Sequence, residues 1–585
     1  MSDLLNRDRQ RGLAAALVVG HFLFLMCFFE PAISTPDANS YFSQAKLIAR
    51  TGRTCIETES PLQYVGVHWN HVGNNRYYCT HAPGLPLLMA PVYKVFGPGA
   101  TVAMNPIFAP LSLLGLFLLC RMWVGEGWAL LAAALMAVNP FLNEHAHFGD
   151  AHSAVCFFFI WGLLFAARWV EEARIWEAFA AGVFFGIIPT IRYADVFYLP
   201  AIAIFVFLHV RRDRRLWGGL AAGVIGLAIP LSWLCIRNQL AFGAFWRTRY
   251  SAAFDTKGFF GWRYLLEYAV PYLRMLLSDG CGLVFGLGVL GIAMLCARRS
   301  MRKRGALFAM LVVPVTIVYM SYFWGPDRQS MRYLIPTFYI YTIAGVWVLR
   351  ELSGIDRRSA CAGSVVVLIV TALWGLPPSV MSMRVLAKQN GALVRVTSVV
   401  EKCVEPGSLL VANDMINQHL DFVGAWRLVD GGMLPFFRGG RPQRPQIPGM
   451  RAGEGGVPEP PEEAMVPEMP FADRRTLVET LGGPKNVQAI ERYRGLPAEE
   501  LFDAFSRDIR DWAGSERRVY LLVIEGQIAE FERRLPAGDE LATIERIERL
   551  GNGGPKGRRP DGPMLDLGPD REPLVVVEWK RDPGR

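Results

Sequence analysis

The chain has 585 residues, 52% of them apolar and 12% aromatic, with a mean hydropathy of +0.24. Its apolar residues gather in long runs before about residue 378, which excludes an ordinary soluble protein and indicates a polytopic α-helical membrane protein. A net charge of +9 would suit a nucleic-acid binder, but the arginines stand in short clusters between apolar runs, as cytoplasmic anchors do, and this excludes nucleic acid as the partner.

Basic residues followed by an apolar run open the chain as in a signal peptide. No small-residue cleavage site follows and Glu30-Pro31 is a poor one, so residues 12–29 read as an uncleaved first span. Thr35-Pro-Asp37-Ala-Asn-Ser-Tyr41 then begins a long loop, 30–100. Asp37 has two readings: a functional acid at a membrane–water boundary, or a cap for a helix beginning near Tyr41. The loop also carries His68, His71, Cys79 and His81, residue types that bind metal or phosphate. Cys55 and Cys79 both lie in it; an oxidising compartment permits a disulfide between them, and bonded and free states are equally open.

Further apolar runs cover 101–123, 127–142, 152–169, 175–190, 194–210, 216–236, 281–297, 304–323, 332–350 and 360–376. Another, Leu85 to Phe96, is short and broken by proline and glycine, and the basic clusters decide its role. If it crossed, Arg211–Arg215, Arg298–Arg304 and Arg357-Arg358 would fall opposite Arg7, Arg9 and Arg11; if it stays in the interface, all are cytoplasmic. The second choice predicts about eleven spans in the plasma (inner) membrane and a cytoplasmic N-terminus. It places 30–100, 143–151, 237–280, 324–331 and everything after 377 outside.

The second external segment, Asn143-Glu-His-Ala-His-Phe-Gly-Asp150, offers Glu144, His145, His147 and Asp150, with His152 beyond it. Asp150 too could be a helix cap. The spacing is no recognised zinc motif, so a divalent ion stands beside histidines that hydrogen-bond lipid phosphates or sugar hydroxyls. Arg192 and Arg332 sit at external helix ends, where they either snorkel or hold a phosphate in a bidentate fork. Past Pro377-Pro378 the composition is that of a soluble α/β domain, 378–585. It has predicted strands at 408–413, 518–524 and 574–579, helices at 386–403, 473–494 and 498–513, and a Pro/Gly-rich disordered insertion over 438–470. No Gly-rich phosphate loop opens its helices, so no nucleotide site is expected.

Pro36-Asp37-Ala-Asn-Ser-Tyr41, Thr80-His-Ala-Pro-Gly-Leu-Pro-Leu87, Asp150-Ala, Asn238-Gln-Leu-Ala-Phe-Gly243 and Arg332-Tyr-Leu-Ile-Pro336 occur in this order. Together they resemble the GT-C-type membrane glycosyltransferases, the group of the protein O-mannosyltransferases and lipid A aminoarabinose transferases, over most of 12–376. The resemblance implies inverting transfer of a sugar from a polyprenyl-phosphate carrier to an external acceptor, with the carrier replacing any nucleotide. Asp37 matches the first-loop acid, a general base or acceptor-positioning group. Asp150 matches the second acidic site, with Glu144 as its rival. Arg332, or failing it Arg192, would meet the carrier phosphate, with His81 and His147 as further substrate contacts. Many relatives have Lys-Pro-Pro where this chain has His81-Ala-Pro83, so the lysine's role is unfilled or passes to His81. No cofactor is required, a divalent metal being the open option. The acceptor is left open among protein, lipid and glycan. A transporter or flippase of lipid-linked sugars is the alternative; it should carry paired charges near the midplane, whereas these span interiors are nearly free of charge. A non-catalytic anchor for the external domain would need neither the long loop nor the acids.

Overall fold

A computed structural model describes residues 7–72, 75–248, 260–322, 325–326, 328, 330–412, 414–431, 434, 493, 496–547 and 573–581. Helix α1 (Arg7–Met26) leads to α2 (Pro36–Thr51) and a small antiparallel sheet of β1 (Cys55–Glu57), β2 (Trp69–His71) and β3 (Arg76–Cys79), with β3 in the middle. There follow α3 (Gly84–Val102), α4 (Met104–Val124), α5 (Glu126–Ala137), α6 (Pro140–His145), α7 (His152–Glu172), α8 (Ile175–Ile191), α9 (Leu199–Val210) and α10 (Trp217–Phe242). The rest of the bundle is α11 (Trp262–Met275), α12 (Leu283–Ala297), α13 (Arg302–Met320), α14 (Ile335–Ser353) and α15 (Arg357–Cys403).

Six helices among the described residues are long and apolar enough to span a membrane, or seven if the pair Trp262–Gly280 and Leu283–Ala297, bent by 118°, is one span. By length and composition the expected eleven are not reached, because several predicted runs are short helices, such as α5 and α8. Backbone contact between helices depends on small residues where lipid offers no hydrophobic drive. A methyl group added to Gly182 would collide with the carbonyl of Gly223, and one on Gly226 with the carbonyl of Phe179, so α8 and α10 touch main chain to main chain. Gly375 does the same for α15 against the carbonyl of Val138, bringing α15 beside α6.

The two ends of the bundle differ in chemistry. At one end Arg11 pairs with Glu126 (3.5 Å), Arg304 with Glu171 (3.5 Å) and over the Trp123 ring (5.3 Å), and Arg298 with Glu351. Arginines of two of the basic clusters are thereby paired with acids of neighbouring helices. At the other end the first loop meets the turn between α6 and α7, where the Ser34 hydroxyl donates to the Phe148 carbonyl (2.9 Å). Both ends of α3 lie on this second side. Gly84 packs on Thr190, Gly99 faces Pro31, and Asn105, just after α3, donates to the carbonyl of Asp150 (2.6 Å). The helix is interrupted at Gly97, whose φ of 82° lies in the left-handed region that glycine adopts without strain.

After the bundle comes a five-stranded sheet in the order β5-β4-β6-β8-β7: β4 (Leu409–Ala412), β5 (Arg427–Asp430), β6 (Val519–Ile524), β7 (Glu540–Ile547) and β8 (Leu574–Lys580). β4 runs parallel to β5 and β6, while β8 is antiparallel to β6 and β7. Helices α16 (Asp414–Asn417), α17 (Ala498–Ala513) and α18 (Ile528–Arg534) complete it. The strands expected near 408, 518 and 574 are present, as is the helix at 498–513. The expected insertion at 438–470 and nearly all of the helix at 473–494 lie outside the described residues. The helix expected at 386–403 is no separate element: α15 runs unbroken through Pro377-Pro378. The prolines remove only the donors to the carbonyls of Leu373 and Trp374, and the helix continues past them out of the bundle.

One face of the sheet does not face solvent. Leu410, Leu428, Tyr520 and Val576 share a core with Leu47, Tyr64, Trp69 and Tyr77 of the first loop. The other face packs on α17 through Phe502, Phe505 and Ile509. First loop and C-terminal domain thus fold around a common core.

Candidate active site

Helix α2 begins earlier than its pattern suggests. Thr35 is the N-cap, accepting from the Ala38 amide (3.0 Å), and Pro36 takes the first helical position, where its missing N–H costs nothing. Asp37 is therefore free of capping duty. Its carboxylate accepts from His68 Nε2 (2.9 Å), with His81 Nε2 at 3.7 Å on the same oxygen and Arg332 Nη2 at 3.6 Å from the other. Burial alone would raise the Asp37 pKa, but the His68 hydrogen bond and the nearby His81, His68 and Arg332 hold it well below the usual carboxylate range. Burial and the neighbouring His68 lower His81 to about 3, so it is neutral at neutral pH and the His68 bond and Arg332 charge dominate. His81 stacks on Tyr41 and its Nδ1 meets the Ser40 hydroxyl.

The second cluster is of another kind. Asp150 pairs with His145 Nδ1 (2.7 Å), lies 3.8 Å from His152 Nε2, and accepts from the His152 amide (3.0 Å). Ala151 is the formal N-cap of α7, yet Asp150 satisfies that helix's first free amide, so it serves both readings. Side-chain exposure separates the two sites: 25% for Asp37 and 21% for Arg332, against 6% for His145, Asp150 and His152. A substrate can reach the first set directly.

Arg332 and Arg192 flank one ring. Their guanidinium carbons lie 5.2 and 5.1 Å from the centre of Tyr333, which stacks on Tyr319 at 4.8 Å. Arg192 is engaged elsewhere, by Asp195 (3.3 Å) and His152 Nδ1 (3.2 Å), whereas Arg332 keeps a buried Nε without a hydrogen-bond partner. Arg332 feels the charge of both Asp37 and Asp150, and so joins the two acids. Glu144 is not part of either set: it pairs with Arg328, whose guanidinium lies over Phe141. His147 is buried with both ring nitrogens unpaired, and burial lowers it to about 4. Sequence reasoning named Arg332 but missed Tyr333, Arg328 and Asp195; the first two lie in the same short run, Arg328-Gln-Ser-Met-Arg-Tyr333, whose density of cation and aromatic was the available signal.

Asp37, His68 and His81, and likewise His145, Asp150 and His152, offer ligand atoms within 4.8 Å of one another. Each set, however, is hydrogen-bonded internally and has an arginine beside it. Arg192 donates to His152 Nδ1, which leaves the proton of a neutral ring on the Nε2 that faces Asp150. A divalent ion would have to displace these bonds and sit beside a guanidinium, so neither set fits one as arranged. Cys55 lies across the hairpin from Tyr78 rather than Cys79, and both thiols are free.

A family model, dolichyl-phosphate-mannose-protein mannosyltransferase, matches residues 80–235. Among solved structures, ArnT from Cupriavidus metallidurans bound to undecaprenyl phosphate is 11% identical, with a TM-score of 0.58, covering 97% of this chain and 98% of that one. The same protein in its apo state gives 0.56 at the same identity and coverage. No curated protein matches the chain by sequence. The likeness of fold to the ArnT structures thus spans nearly the whole chain.

Proposed function

We propose that this chain transfers a sugar from a polyprenyl-phosphate carrier to an acceptor at the membrane face that bears Asp37 and Asp150, with inversion at the anomeric carbon. The observation that carries the reading is the meeting of a reachable carboxylate, Asp37, with Arg332 at 3.6 Å, at the end of an apolar helical bundle opposite its basic clusters. A lipid-borne substrate arrives at that boundary, and the ArnT structure of like fold was determined with undecaprenyl phosphate. The charge asymmetry of the bundle supports an external position for the acid-bearing end and the C-terminal domain.

The chemistry follows from the groups present. An acceptor hydroxyl attacks the anomeric carbon; its oxygen–carbon bond forms as the bond from that carbon to the carrier phosphate oxygen breaks. The hydroxyl proton passes to Asp37. The carrier phosphate departs as an anion, and Arg332 stabilises the charge that develops on it. In the free protein Asp37 is a weak base because His68 and Arg332 hold it ionised. A donor phosphate that engages Arg332 takes up part of the positive charge beside Asp37, while the His68 bond keeps the carboxylate aligned. Tyr333 holds Arg332 through its hydroxyl and ring, and Asp150 orients His145 and His152 behind it.

The test is direct. Protein purified in mild detergent should carry a polyprenyl-phosphate species detectable by mass spectrometry, and should convert lipid-linked sugar to free polyprenyl phosphate in membranes that contain its acceptor. A protein that neither retains nor consumes such a lipid sinks the reading.

A further inference from the structure

The segment Gln418–Asp421 of the C-terminal domain reaches across the domain junction and grips the helix that carries Asp37. Asn39 is buried, and its side-chain amide donates to the carbonyls of both Gln418 (2.8 Å) and Leu420 (3.0 Å). His419 Nδ1 meets the Ile33 carbonyl (2.8 Å), just before the helix. Lys46, also buried, pairs with Asp421, and Arg50 donates to the Val423 carbonyl (3.3 Å). With about 100° of rotation per residue, Asn39, Lys46 and Arg50 form one stripe roughly 180–220° around α2 from Asp37. The domain therefore holds the face of the helix directly behind the acid.

We propose that this segment is positioning machinery for Asp37: through Asn39 and Lys46 it sets the rotation of α2, so that sugar transfer requires the grip of the C-terminal domain. The proposal rests on the function given above. The choice of contacts favours positioning over simple adhesion. The first loop and the sheet already share an extensive apolar core, which supplies the adhesion. A partly buried lysine–aspartate pair adds little net stability, because desolvation offsets much of its attraction, but it fixes geometry. Two carbonyls converging on one amide leave α2 a single rotation. Turning the helix would swing Asp37 away from His68 and Arg332, the partners that keep it ionised.

The experiment uses the full-length protein, the lipid-linked donor fraction and acceptor membranes from cells that make it, with undecaprenyl phosphate as the binding probe. Asn39→Ala should lower kcat by about 10²-fold, the scale of a small misplacement of a catalytic group, while donor KM and undecaprenyl phosphate affinity stay within about twofold of the parent. The acidic limb of its pH–rate profile should move upward, because a loosened Asp37 regains an ordinary carboxylate pKa. Lys46→Asp and Asp421→Lys should each be impaired, and the double swap should recover at least part of the lost kcat. Folded variants with parental kcat and pH profile overturn the proposal and leave the glycosyltransferase reading standing, whereas a parent without donor turnover overturns that reading itself. Should Asn39→Ala not fold, Asp421→Asn, which preserves shape and a hydrogen-bond acceptor, provides the same readout. Loss of folding in every variant would make the grip purely structural and also overturn the proposal.

Discussion

Asp37 is a carboxylate with no capping task and with three cationic or imidazole neighbours, which makes substitution there informative. Asp37→Asn keeps the volume and loses the charge. Thr35 continues to cap α2, and the lost helix-dipole interaction is worth less than about 1 kcal/mol. The expected outcome is a folded protein whose transfer rate falls by roughly 10²–10⁴-fold; a parental rate in a donor-turnover assay would remove Asp37 from the mechanism. Arg332→Ala should weaken undecaprenyl phosphate binding and raise donor KM, whereas Arg192→Ala, which breaks the links to Asp195 and His152, should chiefly lower thermal stability. Comparing donor KM with melting temperature separates the two. The buried histidines add a pH signature. His81, lowered to about 3, and His147, lowered to about 4, stay neutral in the folded chain down to those values, but protonate below their ordinary 6.5 in the unfolded one. Unfolded protein then binds more protons, so their contribution to stability is complete above 6.5 and declines as pH falls from there toward the folded values. At pH 5.5 the loss is about 1 kcal/mol for each. Thermal unfolding at pH 7.5 and 5.5 should show the drop, and His81→Gln should reduce it.

The elements bring these residues together through close approaches. Helix α3 begins at Gly84, three residues after His81, and there the backbone lies against the main chain of Thr190, two residues before Arg192. A methyl group has no room, so Gly84→Ala should cost roughly 1–3 kcal/mol and, by parting α3 from α8, disturb the first loop as well; melting temperature and transfer rate should fall together. The same logic applies to Gly375, which brings α15 against the end of α5. One turn later Ser379 accepts from Asn143 (3.2 Å), next to Glu144. Helix α11 shows a stripe of Tyr264, Tyr268 and Tyr272 turned inward, with Trp262, Leu266 and Val270 exposed on its other side. The Tyr272 hydroxyl reaches Ser330 (2.8 Å), which secures the segment leading to Arg332.

At the scale of the molecule, two features define the architecture: a bundle with basic residues at one end and acids at the other, and a C-terminal sheet that shares its core with the first loop. The proposed orientation places the acidic end outside. Ser515 is exposed in the turn after α17, and Ser515→Cys should react with a membrane-impermeant maleimide applied to intact cells. Protection until the cells are lysed would reverse the orientation and remove the acceptor from the external face. Because the apolar core crosses from sheet to loop, the two regions should also unfold together, as one transition seen from probes in either.

Hydropathy, basic clusters and the order of short motifs were local properties, and they carried the membrane class, the polar asymmetry and the strands near 408, 518 and 574, because apolar runs and strand alternation are written residue by residue. Asp37 and Arg332 could be singled out for the same reason, as ionisable groups beside apolar runs, and His81 from the short motif around it. Partnership was not legible. Whether Arg192 or Arg332 is free for a ligand depends on Asp195 and His152, 3 and 40 positions away from Arg192 in the chain. Glu144 looked equivalent to Asp150 until the fold paired it with Arg328, 184 positions distant. Pro377-Pro378 reads as a boundary, yet packing carries α15 straight through it, since two missing donors are a small loss beside the contacts of a 47-residue helix. The link from Asn39 to Leu420, across 381 positions, has no sequence signature at all: an amide meeting two carbonyls is specified by the approach of two backbones, and only the tertiary structure decides that.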